Sequence, residues 1–172
     1  DQGATSTSTL TITVTGVNDV PTATGTTVTA TEDTALEFAV ADFGFADVDT
    51  SDQLNSITVT TQPSKGTLTL SGSSVDSGQS ISRSDIVAGN LKFTPAANAN
   101  GAGYDSFKFT VNDGTADSLA SSTLTINVTA VNDAPTAAAD TNAVTEDTTL
   151  SVDAANGVLV NDTDVDAGST RT

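Results

Sequence analysis

The carboxylates of this chain gather in short runs whose spacing suits a divalent cation. Glu32-Asp33, Asp47-Val48-Asp49-Thr50-Ser51-Asp52 and Asn112-Asp113-Gly114 are three such runs, and Asn18-Asp19, Asn132-Asp133 and Asp162-Thr163-Asp164-Val165-Asp166 are three more. Alternating Asp-x-Asp lets successive side chains curl round one ion, and calcium takes about six to eight oxygens from Asp, Glu, Asn and carbonyl groups. Magnesium fits less well, because it demands octahedral geometry and retains water. Apart from Glu32, Glu37 and Glu146, every acid is Asp, whose short side chain suits both turns and calcium loops. Each run taken singly also reads as an ordinary solvated turn, so the metal reading depends on several runs meeting at one place. Asp162, Asp164 and Asp166 resemble the opening of an EF-hand loop, but Gly168 falls one place too late for that motif.

Composition removes other chemistries. With 22 acidic and 5 basic residues the formal charge is -17, which argues against nucleic acid or an anionic membrane surface, since phosphate-rich partners need basic patches. The chain has no Cys and no His, which excludes a disulfide framework and most nucleophile, general-base and zinc chemistry. A glycosidase needs two carboxylates across a cleft, but these acids lie in loops and recur along the chain, so the chain is expected not to be an enzyme. No long apolar run suggests a membrane insertion, and Asp1-Gln2-Gly3 does not read as a signal peptide, so any targeting signal is expected outside this sequence.

The elements that must carry these loops repeat. Residues 9–23 read TLTITVTGVNDVPTA and residues 123–137 read TLTINVTAVNDAPTA, identical at 12 of 15 positions, an offset of 114 residues. Thr31-Glu32-Asp33-Thr34 recurs as Thr145-Glu146-Asp147-Thr148 at the same offset. That period suits a whole domain in a tandem array rather than a solenoid turn. Thr alternates with apolar residues, the period of a half-buried strand, at Leu10/Ile12/Val14, Leu36/Phe38/Val40, Ile57/Val59, Leu68/Leu70, Leu91/Phe93, Phe107/Phe109/Val111 and Leu124/Ile126/Val128. These short strands, with no segment of helical length and period, predict an all-β Greek-key β-sandwich. Pro63-Ser64-Lys65-Gly66 predicts a hairpin, and Ser71–Gln79 and Ala96–Gly103 predict mobile loops. Val17–Pro21 and Val131–Pro135 are the linkers, because Pro ends the ladder. Residues 1–19 are then the last strand of a preceding repeat, 20–133 a complete repeat, and 134–172 the first strands of the next.

Threading such strands up and down a sandwich sorts the acids to two poles. Glu32-Asp33 falls with the outgoing linker Asn132-Asp133, and Asn18-Asp19, Asp47-Val48-Asp49, Asp52 and Asp113 fall at the other end. The following repeat contributes Asp162, Asp164 and Asp166 to the outgoing junction. The expected metal ligands are therefore these residues, and the expected cofactor is Ca2+.

In order and spacing, Glu32-Asp33, Ala46-Asp47-Val48-Asp49, Asp113-Gly114 and Val131-Asn132-Asp133-Ala134-Pro135 resemble the cadherin repeat in the divergent form found in large bacterial surface adhesins. Phe93-Thr94-Pro95 and Asp105-Ser106-Phe107-Lys108-Phe109 are similar to bacterial cadherin-like and proteoglycan-type repeats as well. Ala130 and Gly16 stand where the family's linker motif begins with Asp, and no Asp-Arg-Glu follows Phe93, which implies one or two ions per junction. The resemblance implies an extracellular, cell-surface repeat, stiffened by calcium as a spacer in an adhesin that serves cell adhesion and biofilm formation. It also implies export by a dedicated one-step system. Partners would be neighbouring repeats of the chain, and a cell-surface glycan or another copy of the adhesin. The alternative is a carbohydrate-binding β-sandwich whose aromatic platform would be Phe43, Phe45 and Tyr104.

Overall fold

The computed structural model describes residues 3, 5–153 and 156–166. Its centre is a two-sheet sandwich over the stretch Thr22 to Thr129. Strands β1 (Thr22–Ala23), β2 (Thr26–Thr31), β3 (Leu36–Glu37) and β4 (Phe45–Ala46) open the fold. They are followed by β5 (Ser56–Thr61), β6 (Thr67–Leu70), β7 (Ser73–Ser74) and β8 (Ser80–Ser82). A short helix α1 (Arg83–Val87) then leads to β9 (Leu91–Thr94), β10 (Gly101–Asn112) and β11 (Ser122–Thr129). One sheet has the order β2-β11-β10-β5-β8 and the other β3-β9-β6-β7, while β1 and β4 form a small ribbon at one pole. β2 runs parallel to β11, with Thr29 opposite Asn127 and Thr31 opposite Thr129, and the remaining pairs are antiparallel.

Alternation explains the core. Ile57 and Val59 of β5, Phe107, Phe109 and Val111 of β10, and Leu124, Ile126 and Val128 of β11 all point inward against Leu68, Leu91 and Phe93 of the other sheet. Phe43 packs edge-on against Phe109 at 5.1 Å and Phe38 against Phe107 at 5.6 Å, the T-shaped geometry that ring quadrupoles favour.

Several expectations are corrected. Pro63–Gly66 is not a hairpin, because β5 and β6 lie in different sheets and the turn carries the chain across the sandwich. Gly66 is required there by proximity, since a Cβ would sit 2.2 Å from the Phe93 ring. The Ser71–Gln79 segment holds β7 and buries Val75, whose amide donates to the Leu68 carbonyl. The Leu36/Phe38/Val40 strand stops at Glu37 and gives way to a 3-10 helix, Val40–Phe43. Leu10, Ile12 and Val14 form no strand and are exposed, although the same pattern at Leu124–Val128 is buried. Alternation marks a strand only where β10- and β2-like partners are present to receive it.

The carbohydrate platform is not there either. Phe43 and Tyr104 are buried and Phe45 is half-buried against the core, so the three side chains do not form an exposed flat patch.

Candidate metal centre

Two poles collect the acids. At the outgoing pole the turn between β2 and β3 places Glu32 and Asp33, with Asp33 in the left-handed conformation at φ 57°. Glu32 is only 2% exposed. Its Oε1 accepts the Val131 amide at 2.6 Å and its Oε2 accepts the Asn100 side-chain amide at 2.9 Å. The linker thus leaves the sandwich with its first amide fastened to Glu32. Asp133, two residues on, donates its amide to Asp166 Oδ2 at 2.8 Å, and the Asp166 amide donates to Asp164 Oδ1 at 2.9 Å. Glu32, Asp133 and Asp166 can each direct one carboxylate oxygen so that all three lie within 4.8 Å of one another. Asp133 Oδ2 is shielded from solvent and has no hydrogen-bond partner. Burial, and then the carboxylates of Asp33, Asp166, Glu32 and Asp164, push the Asp133 carboxyl above the ordinary range.

The incoming pole shows the same bonding between equivalent residues. The Asp19 amide donates to Asp49 Oδ2 at 2.8 Å, and the Asp49 amide donates to Asp47 Oδ1 at 2.8 Å. Asp47, Asp49 and Asp52 place three oxygens within 4.8 Å of one another, and Asp47 Oδ2 is shielded and unpaired. The ribbon recurs too: Thr22 pairs with Ala46, and Thr136 pairs with Thr163 by the same antiparallel bridge. Each Asn-Asp-x-Pro segment is therefore zipped to the Asp-x-Asp loop that follows it in the chain.

Other expected ligands stand to one side. Asp162 Oδ1 is taken by the Ala138 amide and belongs to the ribbon. Asp113 is held by the amides of Ala116 and Thr115, which pull its carboxyl below the ordinary range against its partial burial. Asn18 reaches Asp113 Oδ2 at 3.1 Å and so ties the incoming linker to that loop, while Asn132 turns its amide to the Asp133 carbonyl at 2.9 Å.

Residues that the sequence reading did not place at the metal site brace the outgoing pole. The Asn98 amide donates to Asp33 Oδ1 at 3.0 Å, and Asn98 is itself left-handed at φ 54°. Tyr104 Oη accepts the Ala96 amide and donates to the Lys65 carbonyl, both at 3.2 Å. Asp105, 7% exposed, accepts the amides of Ser64, Lys65 and Gly66, so the turn and the loop are both anchored on β10. The sequence showed Ala96–Gly103 only as an Asn/Gly loop and Pro63–Gly66 only as a turn, with nothing to say that Asp33, Tyr104 and Asp105 fasten them.

A family model described as Bacterial Ig domain matches residues 18–129. No curated protein and no solved structure matches the chain.

Proposed function

Starting from a chain that belongs to the bacterial Ig domain family, we propose that it is a calcium-binding repeat whose ions sit at the junctions between repeats. The carrying observation is that Glu32, Asp133 and Asp166, from one side of the linker, the linker itself and the far side, bring oxygens within 4.8 Å. Oxygens on opposite sides of a calcium ion stand up to about 5 Å apart, given metal–oxygen bonds of about 2.3–2.6 Å. The donor set is all carboxylate, hard and anionic, and Asp133 Oδ2 is shielded with a raised affinity for positive charge, here a proton. Such a grouping is unfavourable by itself and becomes favourable around a cation.

An ion shared in this way holds neighbouring repeats in line. The role is mechanical rather than catalytic: a spacer that stiffens where calcium is abundant, in a surface adhesin outside the cell. The high acid content keeps the chain extended and soluble before calcium arrives and supplies the attraction once it does. Residues 20–133 form the repeating unit in this reading.

Calorimetric titration tests it. Calcium is expected to bind with an affinity on the order of 0.1–1 mM, as in extracellular modules, and to raise the melting temperature, with magnesium doing little. Asp133→Ala or Asp166→Ala should weaken binding, whereas Asp76→Ala, in the β7–β8 loop and in neither carboxylate grouping, should not. Equal melting temperatures in calcium and chelator would refute the proposal.

A further inference from the structure

The junction contains a residue outside the three-carboxylate grouping that holds one of its members. We propose that Asn100 is a positioning residue for the outgoing metal centre, holding Glu32 in the orientation that completes the site; this rests on the calcium reading above. Glu32 is nearly inaccessible, at 2% exposure, and is held from two directions. Val131 grips Oε1 from the linker and Asn100 grips Oε2 from the loop before β10. A carboxylate fixed by one donor can still rotate about its last bond, but two donors on different oxygens leave one orientation. Each oxygen retains a lone pair, so the fixed carboxylate can still face Asp133 and Asp166.

The loop that carries Asn100 is held at several points. It is fastened at one end by Tyr104, which accepts the Ala96 amide, and in the middle by Asp33, which accepts the Asn98 amide. At the other end the chain enters β10 at Gly101, opposite Val128 of β11. The loop is thus a brace between the sandwich and the Glu32-Asp33 turn. Because Asn100 is neutral, it fixes Glu32 without adding to the local crowd of negative charge. Glu32 is the upstream repeat's contribution to the three-carboxylate grouping, so its orientation decides whether an ion bridges the two repeats or stays on the downstream side.

The test is a calcium titration followed by amide NMR, with the Val131 amide reporting the outgoing junction and the Asp19 amide the incoming one. Asn100→Ala should weaken calcium binding at Val131 by about tenfold or more, the usual effect of losing an outer-shell partner. Binding at Asp19 should not change. Asn100→Gln keeps the side-chain amide donor on an exposed position with room for one more methylene, so it should bind within about threefold of the parent at Val131, and it carries the test alone if the Ala variant loses its dispersed spectrum. Unchanged binding at Val131 in Asn100→Ala, equal weakening at both reporters, or Asn100→Gln weakened by tenfold would overturn the positioning role. A parent protein whose Val131 amide ignores calcium would instead overturn the metal reading, and this inference with it.

Discussion

Removing the Asp105 carboxylate should unfold the scaffold more readily than any single change at a metal ligand. Asp105 Oδ2 accepts the amides of Ser64, Lys65 and Gly66 at 3.0, 2.7 and 3.0 Å, and Oδ1 accepts Ser106 at 2.8 Å. Hydrogen bonds to a charged group contribute about 1.5–3 kcal/mol each, but Ser64 and Lys65 are exposed and water can replace part of what is lost. Taking about 1 kcal/mol for each of the three turn amides gives about 3 kcal/mol for Asp105→Ala, or on the order of 10 °C in melting temperature. Asp105→Asn is not conservative here. With its oxygen at the Oδ2 position the amide still accepts the three turn amides but turns its NH2 on the Ser106 amide and gives up the charge, so the Asn variant should lose a substantial part of what the Ala variant loses. Burial by itself pushes the Asp105 carboxyl up, yet the amides of Ser64, Lys65, Gly66 and Ser106 outweigh it and hold it below the ordinary range. Since the folded value is the lower one, this stabilisation is present above the unfolded value of about 3.9 and is lost as pH falls through the folded value. Urea denaturation in chelator, at pH 7 and across the acid range, measures both effects. If Asp105→Asn unfolds within about 0.5 kcal/mol of the parent at pH 7, the amides are satisfied by water and the reasoning fails.

Asp133→Asn should change sign with calcium: in chelator the variant melts no lower than the parent, and in calcium it melts lower, as scanning calorimetry would show. A lower melting temperature in chelator would mean that Asp133 already has a stabilising partner. The raised Asp133 carboxyl has a matching pH signature, because its contribution is present below about pH 3.9 and lost as pH rises through the folded value. The gain in melting temperature on adding calcium should therefore grow from acid toward neutral pH, and a gain independent of pH counts against the assignment. Gly66→Ala should cost about 1–3 kcal/mol in urea denaturation, since its Cβ meets the Phe93 ring and the Thr94 carbonyl, and a neutral result would show that the turn can shift.

Local and distant signals differed in how far the sequence revealed them. Ile57/Val59 and Leu124/Ile126/Val128 announce themselves because period two is written in adjacent residues, and their burial follows wherever a sheet is present. The turn Pro63–Gly66 misleads for the complementary reason: its residues specify a reversal, but whether β6 returns to β5 or crosses to β9 is decided by partners far along the chain. Helix α1 is only five residues and held by a Ser82 cap, too short for a period to register. At the candidate site, the repeat brought Glu32, Asp133 and Asp166 to notice because carboxylate runs recur at linkers. Asn100 escaped notice because an Asn before Gly reads as loop, and its partner Glu32 lies 68 residues away.

The central claim is that calcium joins repeats across a linker, and the most direct measurement is small-angle scattering on a chain carrying two complete repeats, with and without calcium. In chelator, like charge at the poles and a linker fastened mainly through Val131, Asp133 and Thr136 should give a broad distribution of interdomain distances. With calcium, ligands from Glu32, Asp133 and Asp166 should fix the angle and narrow the distribution to one extended form. An unchanged distribution under conditions where calorimetry shows calcium bound would contradict the account, and would place the ions in loops within single repeats.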